Sequence, residues 1–393
     1  MAGNRFDFLE IGDGIETVTA HSIPAMPENG AESGQRQGNP TDWTAYNPSN
    51  ERTVIPNAYE DIVLRSQTQD TSVAAVLDST FRVGESGLRV VEVIGEPGSR
   101  AGQFNYPAGI AVDPTGVLFV ADSYNHRIQR ITPAADVAVI GGRGSGRGQF
   151  LSPLGIATDV HLAFYVVEQG NHRVQKFSAN GQQLLTFGRM GTKPGEFRGP
   201  SGIAVSPVNG HIYIADTGNA RVQRFDVDGS YIGSLGVLGT TSQPLTSPSS
   251  VVVDSYDHVF VTDLKTNRVI KFDPAGRMVG SFISVRPRDS SLSVRGLVEP
   301  RAIALDSAGM LYIADGNASP GGANTAGRVQ LIDPATGVDI ATLDDVGHRL
   351  GKLARPGGLA LTKAPVSHLG QETHSDLFVA DTMNHRILRF TWK

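Results

Sequence analysis

Pro107-Ala-Gly-Ile-Ala-Val-Asp113, followed by Leu118-Phe-Val-Ala-Asp-Ser-Tyr-Asn-His-Arg-Ile-Gln-Arg-Ile131, is the stretch on which the reading of this chain turns. Its first half returns at Pro153, Pro200, Pro248, Pro300 and Pro356. Its second half returns as Phe164–Phe177, Ile212–Phe225, Val259–Phe272, Leu311–Ile332 and Leu377–Phe390. The prolines stand 46, 47, 48, 52 and 56 residues apart. A period of roughly 40–50 residues containing several short apolar runs marks a β-propeller, with one blade per repeat.

Each run makes sense as a strand. Gly-Ile-Ala-Val is small and β-branched, so Gly109, Ala111, Gly155, Ala157, Gly202 and Ala204 suit innermost strands that crowd the axis. Leu-Phe-Val-Ala is apolar on both faces, as a strand sandwiched between two neighbouring blades must be. In the third run, Ile128 and Ile131, Val174 and Phe177, Val222 and Phe225, and Val269 and Phe272 are three residues apart. In extended chain that spacing points the two side chains to opposite faces, one for each adjoining blade.

The ends of the repeat predict how the ring shuts. The sixth repeat stops after its third strand, at Phe390-Thr-Trp-Lys393. The missing fourth stands ahead of the first repeat, where Arg89-Val-Val-Glu-Val-Ile94 leads into Gly95–Phe104. That glycine-rich connection matches Gly141–Phe150 and Gly188–Phe197. The expected fold is therefore all-β: a six-bladed propeller with four-stranded blades, residues 89–94 closing the last blade against the C-terminal strand. The ring occupies 88–393 and is preceded by a mostly irregular N-terminal arm, 1–87. Closure of this kind hides sheet edges that would otherwise invite aggregation.

Charge separates the two parts. Residues 1–87 hold five Arg, no Lys and thirteen acids; the remaining 306 hold 29 basic and 26 acidic side chains, a net +3. The body is thus not a basic nucleic-acid surface. The arm mixes polar stretches with short apolar islands such as Phe6-Asp-Phe-Leu-Glu-Ile11 and Ile62-Val-Leu64. Alone it buries too little surface to offset its ordering entropy. Cysteine is absent, which excludes disulfides and thiolate metal sites. An apolar leader is lacking near Met1, and no run approaches the ~18 apolar residues of a membrane span. A cytoplasmic protein, or part of a soluble assembly, is expected, without membrane insertion.

Asp122-Ser-Tyr-Asn-His-Arg-Ile128, Glu168-Gln-Gly-Asn-His-Arg-Val174, Asp216-Thr-Gly-Asn-Ala-Arg-Val222 and Asp381-Thr-Met-Asn-His-Arg-Ile387 resemble the signature of the NHL-repeat family. The resemblance spans about three quarters of the chain and implies the six-bladed fold. It leaves function open, because propellers of that family serve as enzymes, RNA readers and protein-binding platforms.

The charged residues of the motif read as structure. An acid stands five residues before an arginine in five repeats: Asp122 before Arg127, Glu168 before Arg173, Asp216 before Arg221, Asp263 before Arg268, and Asp381 before Arg386. In the remaining repeat an insertion separates Asp315 from Arg328. The guanidinium fork suits a carboxylate and nearby carbonyls at a tight corner. His126, His172 and His385 occupy equivalent turns in three adjoining blades. Family enzymes that cleave peptidyl-hydroxyglycines hold a central metal with histidines, but these belong to the repeat itself, so no metal and no cofactor is expected. Calcium, as in lactonase-like propellers, needs six to eight oxygens. The residues before the prolines, Tyr106, Ser152, Gly199, Ser247, Glu299 and Arg355, include a single acid. Gly141-Gly-Arg-Gly-Ser-Gly-Arg-Gly148 opens a strand rather than a helix, so it is no phosphate loop.

What individuality remains lies in the arm and in insertions at 284–297, 316–326 and 363–376. The expected function is a non-catalytic protein-binding scaffold or structural subunit, docking to other protein subunits through residues 1–87 and the propeller loops. Candidate contact residues on the turns are Tyr124, Asn125, His126, Asn171, His172, Asn219, Lys265, Asn384 and His385. The alternatives are a metal-dependent lyase or lactonase working in the central channel and, third, RNA or polysaccharide binding. Nucleic acid is disfavoured, since Tyr124 is the one aromatic the turns offer for stacking.

Overall fold

The computed structural model describes residues 87–239, 244–282, 296–316, 326–335, 337, 339–343, 350–362 and 375–392. The arm predicted over 1–87 lies outside them except for Gly87, as does most of the three insertions. The described chain is all-β, with six four-stranded antiparallel sheets and no α-helix among the described residues. Blade one runs Pro107–Val112, Leu118–Asp122, Arg127–Ile131 and Val137–Ile140. Blades two to five repeat this order from Pro153, Ile203, Pro248 and Pro300. The sixth holds Gly358–Leu361, Leu377–Asp381 and Arg386–Trp392, with Leu88–Ile94 as its outermost strand.

The closing strand pairs as the repeat count requires. Leu88 faces Trp392, Val90 faces Phe390 and Ile94 faces Ile387, with a bulge between Val90 and Glu92. Leu88, Val90 and Val93 are buried in one cluster with Leu388 and Phe390. The guanidinium of Arg389 bridges Glu92, at 3.2 Å, and Asp376, at 2.6 Å, so it ties the first strand to the last two.

The core is a set of wedges between blades. Ile128 packs with Phe164 and Phe177 between blades one and two, while Ile131 packs with Phe378 and Ile387 between blades six and one. Val222 and Phe225 divide in the same way between the clusters on the two sides of blade three. Spacing by three therefore does what the extended geometry demands. At the hub, backbones meet directly. A Cβ built on Gly109 would lie 2.1 Å from the Leu154 carbonyl oxygen, and one on Gly155 would lie 2.4 Å from that of Ser201. Only glycine permits that approach at these two positions.

The glycine-rich connections act as plugs. Phe104, Phe150 and Phe197 are fully buried, and Phe150 closes back on Arg143 in a short parallel bridge. Gly141 adopts φ +78°, and a Cβ there would strike the Phe150 ring at 2.4 Å. The segment whose glycines imitate a phosphate loop is thus a lid wrapped over its own phenylalanine.

Candidate functional site

Two sets of connections meet at one end of the disc: the turn between second and third strands, and the loop that enters each blade. They are bonded to each other, for Tyr124 N donates to Asn105 O, Gly218 N to Arg198 O, Leu264 N to Ser247 O and Gly316 N to Glu299 O. All of the predicted turn residues fall here.

In blade one the Asp122 carboxylate, wholly buried, accepts from Arg127 Nε at 2.6 Å, Asn105 N at 2.7 Å, Asn125 Nδ2 at 2.9 Å and Gln129 Nε2 at 3.0 Å. Arg127 spends its remaining donors on the carbonyls of Ser99, Arg100 and Gln103 in the entering loop.

Four other blades repeat the pair. Arg173 meets Glu168 at 2.5 Å, Arg221 meets Asp216 at 2.9 Å, Arg328 meets Asp315 at 2.7 Å and Arg386 meets Asp381 at 2.8 Å. Their spare donors also go to the entering loops. Arg173 serves the carbonyls of Ser145, Gly146 and Gln149, while Arg221 serves those of Lys193 and Glu196. Arg328 serves Gly296 O, so the insertion that parts it from Asp315 in sequence leaves the corner intact. The acids are all sealed, but the guanidiniums differ: Arg173 and Arg221 keep 13% and 12% of their side chains in water, Arg328 only 3%.

Blade four departs from the pattern expected of it. Asp263 accepts from Thr246 N and Oγ1, and Arg268 Nε donates to Thr266 Oγ1. A threonine hydroxyl on each side there takes up a bond that the charged partner takes in blade one.

Asn171 binds Gly144 O and Glu168, Asn219 binds Gly191 O and Asp216, and Asn384 binds Lys352 O and Asp381. Each asparagine thus clamps an entering loop to its acid. Sequence reasoning passed over Gln129, Gln175 and Gln223, which are fully buried and receive a loop N–H while donating to a loop carbonyl and the acid. The Arg-x-Gln spacing, repeated in blades one to three and again as Arg328-Val-Gln330, was the available signal. Tyr124 is half-buried and Lys265 is exposed.

The three histidines stitch blade to blade. Each sits in left-handed backbone, φ 52–55°, and each Nδ1 accepts a main-chain N–H from the next loop. The donors are Ser152 to His126 at 3.1 Å, Gly199 to His172 at 3.0 Å and Tyr106 to His385 at 3.1 Å. Burial holds all three rings below the ordinary imidazole pKa. Arg143 reinforces this for His126 and Arg198 for His172, against the opposing pull of Asp122 and Asp216. For His385, Asp122 and Asp381 pull the other way.

An acceptor Nδ1 must be unprotonated, so the sign follows. The unfolded chain binds these protons more readily, and stability falls as pH drops below about 6.5 towards the lowered folded values. The melting temperature is expected to decline from pH 7 to pH 5. A triple variant, His126→Asn with His172→Asn and His385→Asn, uses the residue that Asn267 supplies in blade four and should flatten that slope. An equal decline in both proteins would show that the histidines carry none of it.

Among the described residues no group of three or more His, Asp or Glu side chains gathers to hold a metal ion. The pre-proline ring suits a divalent cation poorly on its own chemistry. Its acid, Glu299, is already engaged by the guanidiniums of Arg301 and Arg355. Among the described residues no helix is long and apolar enough to cross a membrane.

The NHL-repeat family model matches residues 104–131 and 197–225. No curated protein sequence matches the chain. Among solved structures, a Bacteroides thetaiotaomicron protein of unknown function aligns with TM-score 0.54 and 16% identity, over 78% of this chain and 76% of its own. A nidogen/laminin complex aligns at 0.50 and 19%, over 67% and 87%. A putative gluconolactonase aligns at 0.50 and 12%, over 80% and 94%. At these identities the likeness is one of fold.

Proposed function

The chain is an NHL-repeat six-bladed β-propeller, and we propose that it works as a non-catalytic scaffold that docks other protein subunits through its arm and the loop end of the disc. One observation carries this reading. The polar groups that repeat from blade to blade, Asp122, Asn125, Arg127 and Gln129 and their counterparts, are consumed in holding loops to blades. The described residues that flank two of the three insertions, Phe282 and Gly296, and Gly316 and Ala326, stand at the same end. A rigid frame whose irregularity is confined to loops suits recognition. Large apolar side chains stand in water on neighbouring loops there, Met190 at 69% and Leu238 at 83% exposed. Lys265 is exposed and Tyr124 half-buried on turns at the same end.

A chain lacking residues 1–80 is expected to melt like the whole chain but to lose a partner that co-purifies with the whole chain. Assembly retained after the deletion would refute the arm's part in docking. Stoichiometric zinc or calcium in the purified protein would overturn the non-catalytic reading in favour of a lyase- or lactonase-like one.

A further inference from the structure

We infer that the arm folds back on its own ring, with Val73-Ala-Ala-Val-Leu77 pairing as a fifth, antiparallel strand on the outer edge of blade one, Val137–Ile140. This goes beyond the docking reading and does not rest on it.

It begins with a break in the sixfold pattern. The outermost strand of every other blade is bulged against its neighbour, at Leu184, Ile232, Val279 and Ile340 in blades two to five and between Val90 and Glu92 in blade six. A bulge disrupts the row of edge hydrogen-bonding groups and twists it away from further strands. Among the six outermost strands, only Val137–Ile140 keeps an unbroken register, from Ile128 opposite Ile140 to Ile131 opposite Val137. No strand of the described residues pairs with its outer edge.

The side chains of this strand depart from the pattern too. Blades two to five carry Thr186, Ser234, Ser281 and Thr342 where blade one, opposite Gln129, carries Val139. Val139 is 44% exposed and Val137 36%. Cross-strand partners share a face, as do residues two apart. Val137 lies opposite Ile131, which packs with Phe378 and Ile387 of blade six, so both valines are turned towards that blade.

Blade six is where the arm arrives. Leu88 opens its outermost strand opposite Trp392, and Val137 opens that of blade one opposite Ile131, so the two starts stand at the same end of the disc. Residues 78–87 separate Leu77 from Leu88. These ten residues reach at most about 36 Å, against about 10 Å between packed sheets. A chain that comes to Leu88 along the edge of blade one travels towards the end from which Val137–Ile140 departs. It therefore pairs with that strand antiparallel, the better-bonded arrangement. Val73–Leu77, which lies outside the described residues, is the nearest uncharged apolar run of strand length ahead of Leu88. Tethering holds it near that edge at about millimolar effective concentration, which a second molecule does not match in dilute solution.

Hydrogen exchange of the full chain, read by mass spectrometry, tests the pairing. Exchange over 137–140 is expected to be about tenfold slower in the whole chain than in a chain that begins at residue 87. The full-length double variant Ala74→Pro with Ala75→Pro should exchange as fast as the shortened chain, because successive prolines remove a donor from each side of the strand. Exchange over the bulged Gln183–Phe187 should be the same in all three proteins. Their melting temperatures should agree closely, because an added edge strand opens before the ring does. Equal exchange over 137–140 in the whole and shortened chains, or protection that survives the two prolines, overturns the assignment. Protection that grows with protein concentration from about 1 to 100 µM also overturns it, and marks a second copy on that edge. The measurement uses no partner protein, so failure here leaves the docking reading standing, and the reverse holds.

Discussion

A chain that begins at residue 96 is expected to lose its cooperative melting transition and to aggregate, whereas one that begins at residue 87 keeps a single transition near that of the whole protein. The difference is one strand. Leu88, Val90 and Val93 are at most 5% exposed and lie in the wedge formed with Leu388 and Phe390. Burying a large aliphatic side chain contributes about 1.5–3 kcal/mol. Three of them together rival a native stability that is itself only about 5–15 kcal/mol. Removing the strand also strips Arg386–Trp392 of its outer partner and leaves an open edge of hydrogen-bonding groups. Scanning calorimetry with size-exclusion chromatography reads both results. A native-like transition in the chain starting at 96 would mean that the ring does not depend on this closure.

Replacing Asp122 with alanine is expected to lower stability by about 3–5 kcal/mol, seen as an earlier midpoint in equilibrium urea unfolding. Asp122 is fully buried, and its loss strands Arg127, whose side chain is 10% exposed, without its carboxylate. It also orphans Asn105 N and removes one acceptor each from the amides of Asn125 and Gln129. Arg127→Lys, with Asp122 in place, should cost less, because the charge stays opposite the carboxylate although an ammonium cannot serve Asp122 and three loop carbonyls at once. Arg277 and Asp273 form the contrast. Their ion pair is geometrically as close, 2.7 Å, but Arg277 is 81% exposed. Arg277→Met should leave the midpoint where it was, since solvent-exposed pairs contribute little. If both substitutions shift the midpoint alike, burial is not what gives the repeat its acid and arginine.

The fold was legible because a propeller writes its core locally. Blade boundaries are marked by prolines, and Ile128 and Ile131 already declare that two wedges must exist, one on each side. Closure was legible by counting strands. The chemistry of the loop end was less so, since it depends on which blade each side chain meets. The acid and arginine corners were readable where the two stand five apart, as with Arg173 and Arg221. Arg328 was harder, because an insertion parts it in sequence from Asp315. His126 stands in the motif of blade one, yet its partner is Ser152 N at the threshold of blade two. The buried glutamines were written in plain view but look like surface residues until the turn folds over them. Arg301 was hidden differently. One charged residue after a proline signifies little until Glu299, Arg355 and Tyr106 are seen around it.

The imidazole stitches run from blade six to one, one to two and two to three, and then cease at Ala220. The sixfold frame is therefore marked at one position, as a clock face is by its numerals. A partner that meets the stitched blades rather than the unstitched ones therefore finds one rotational setting on the ring.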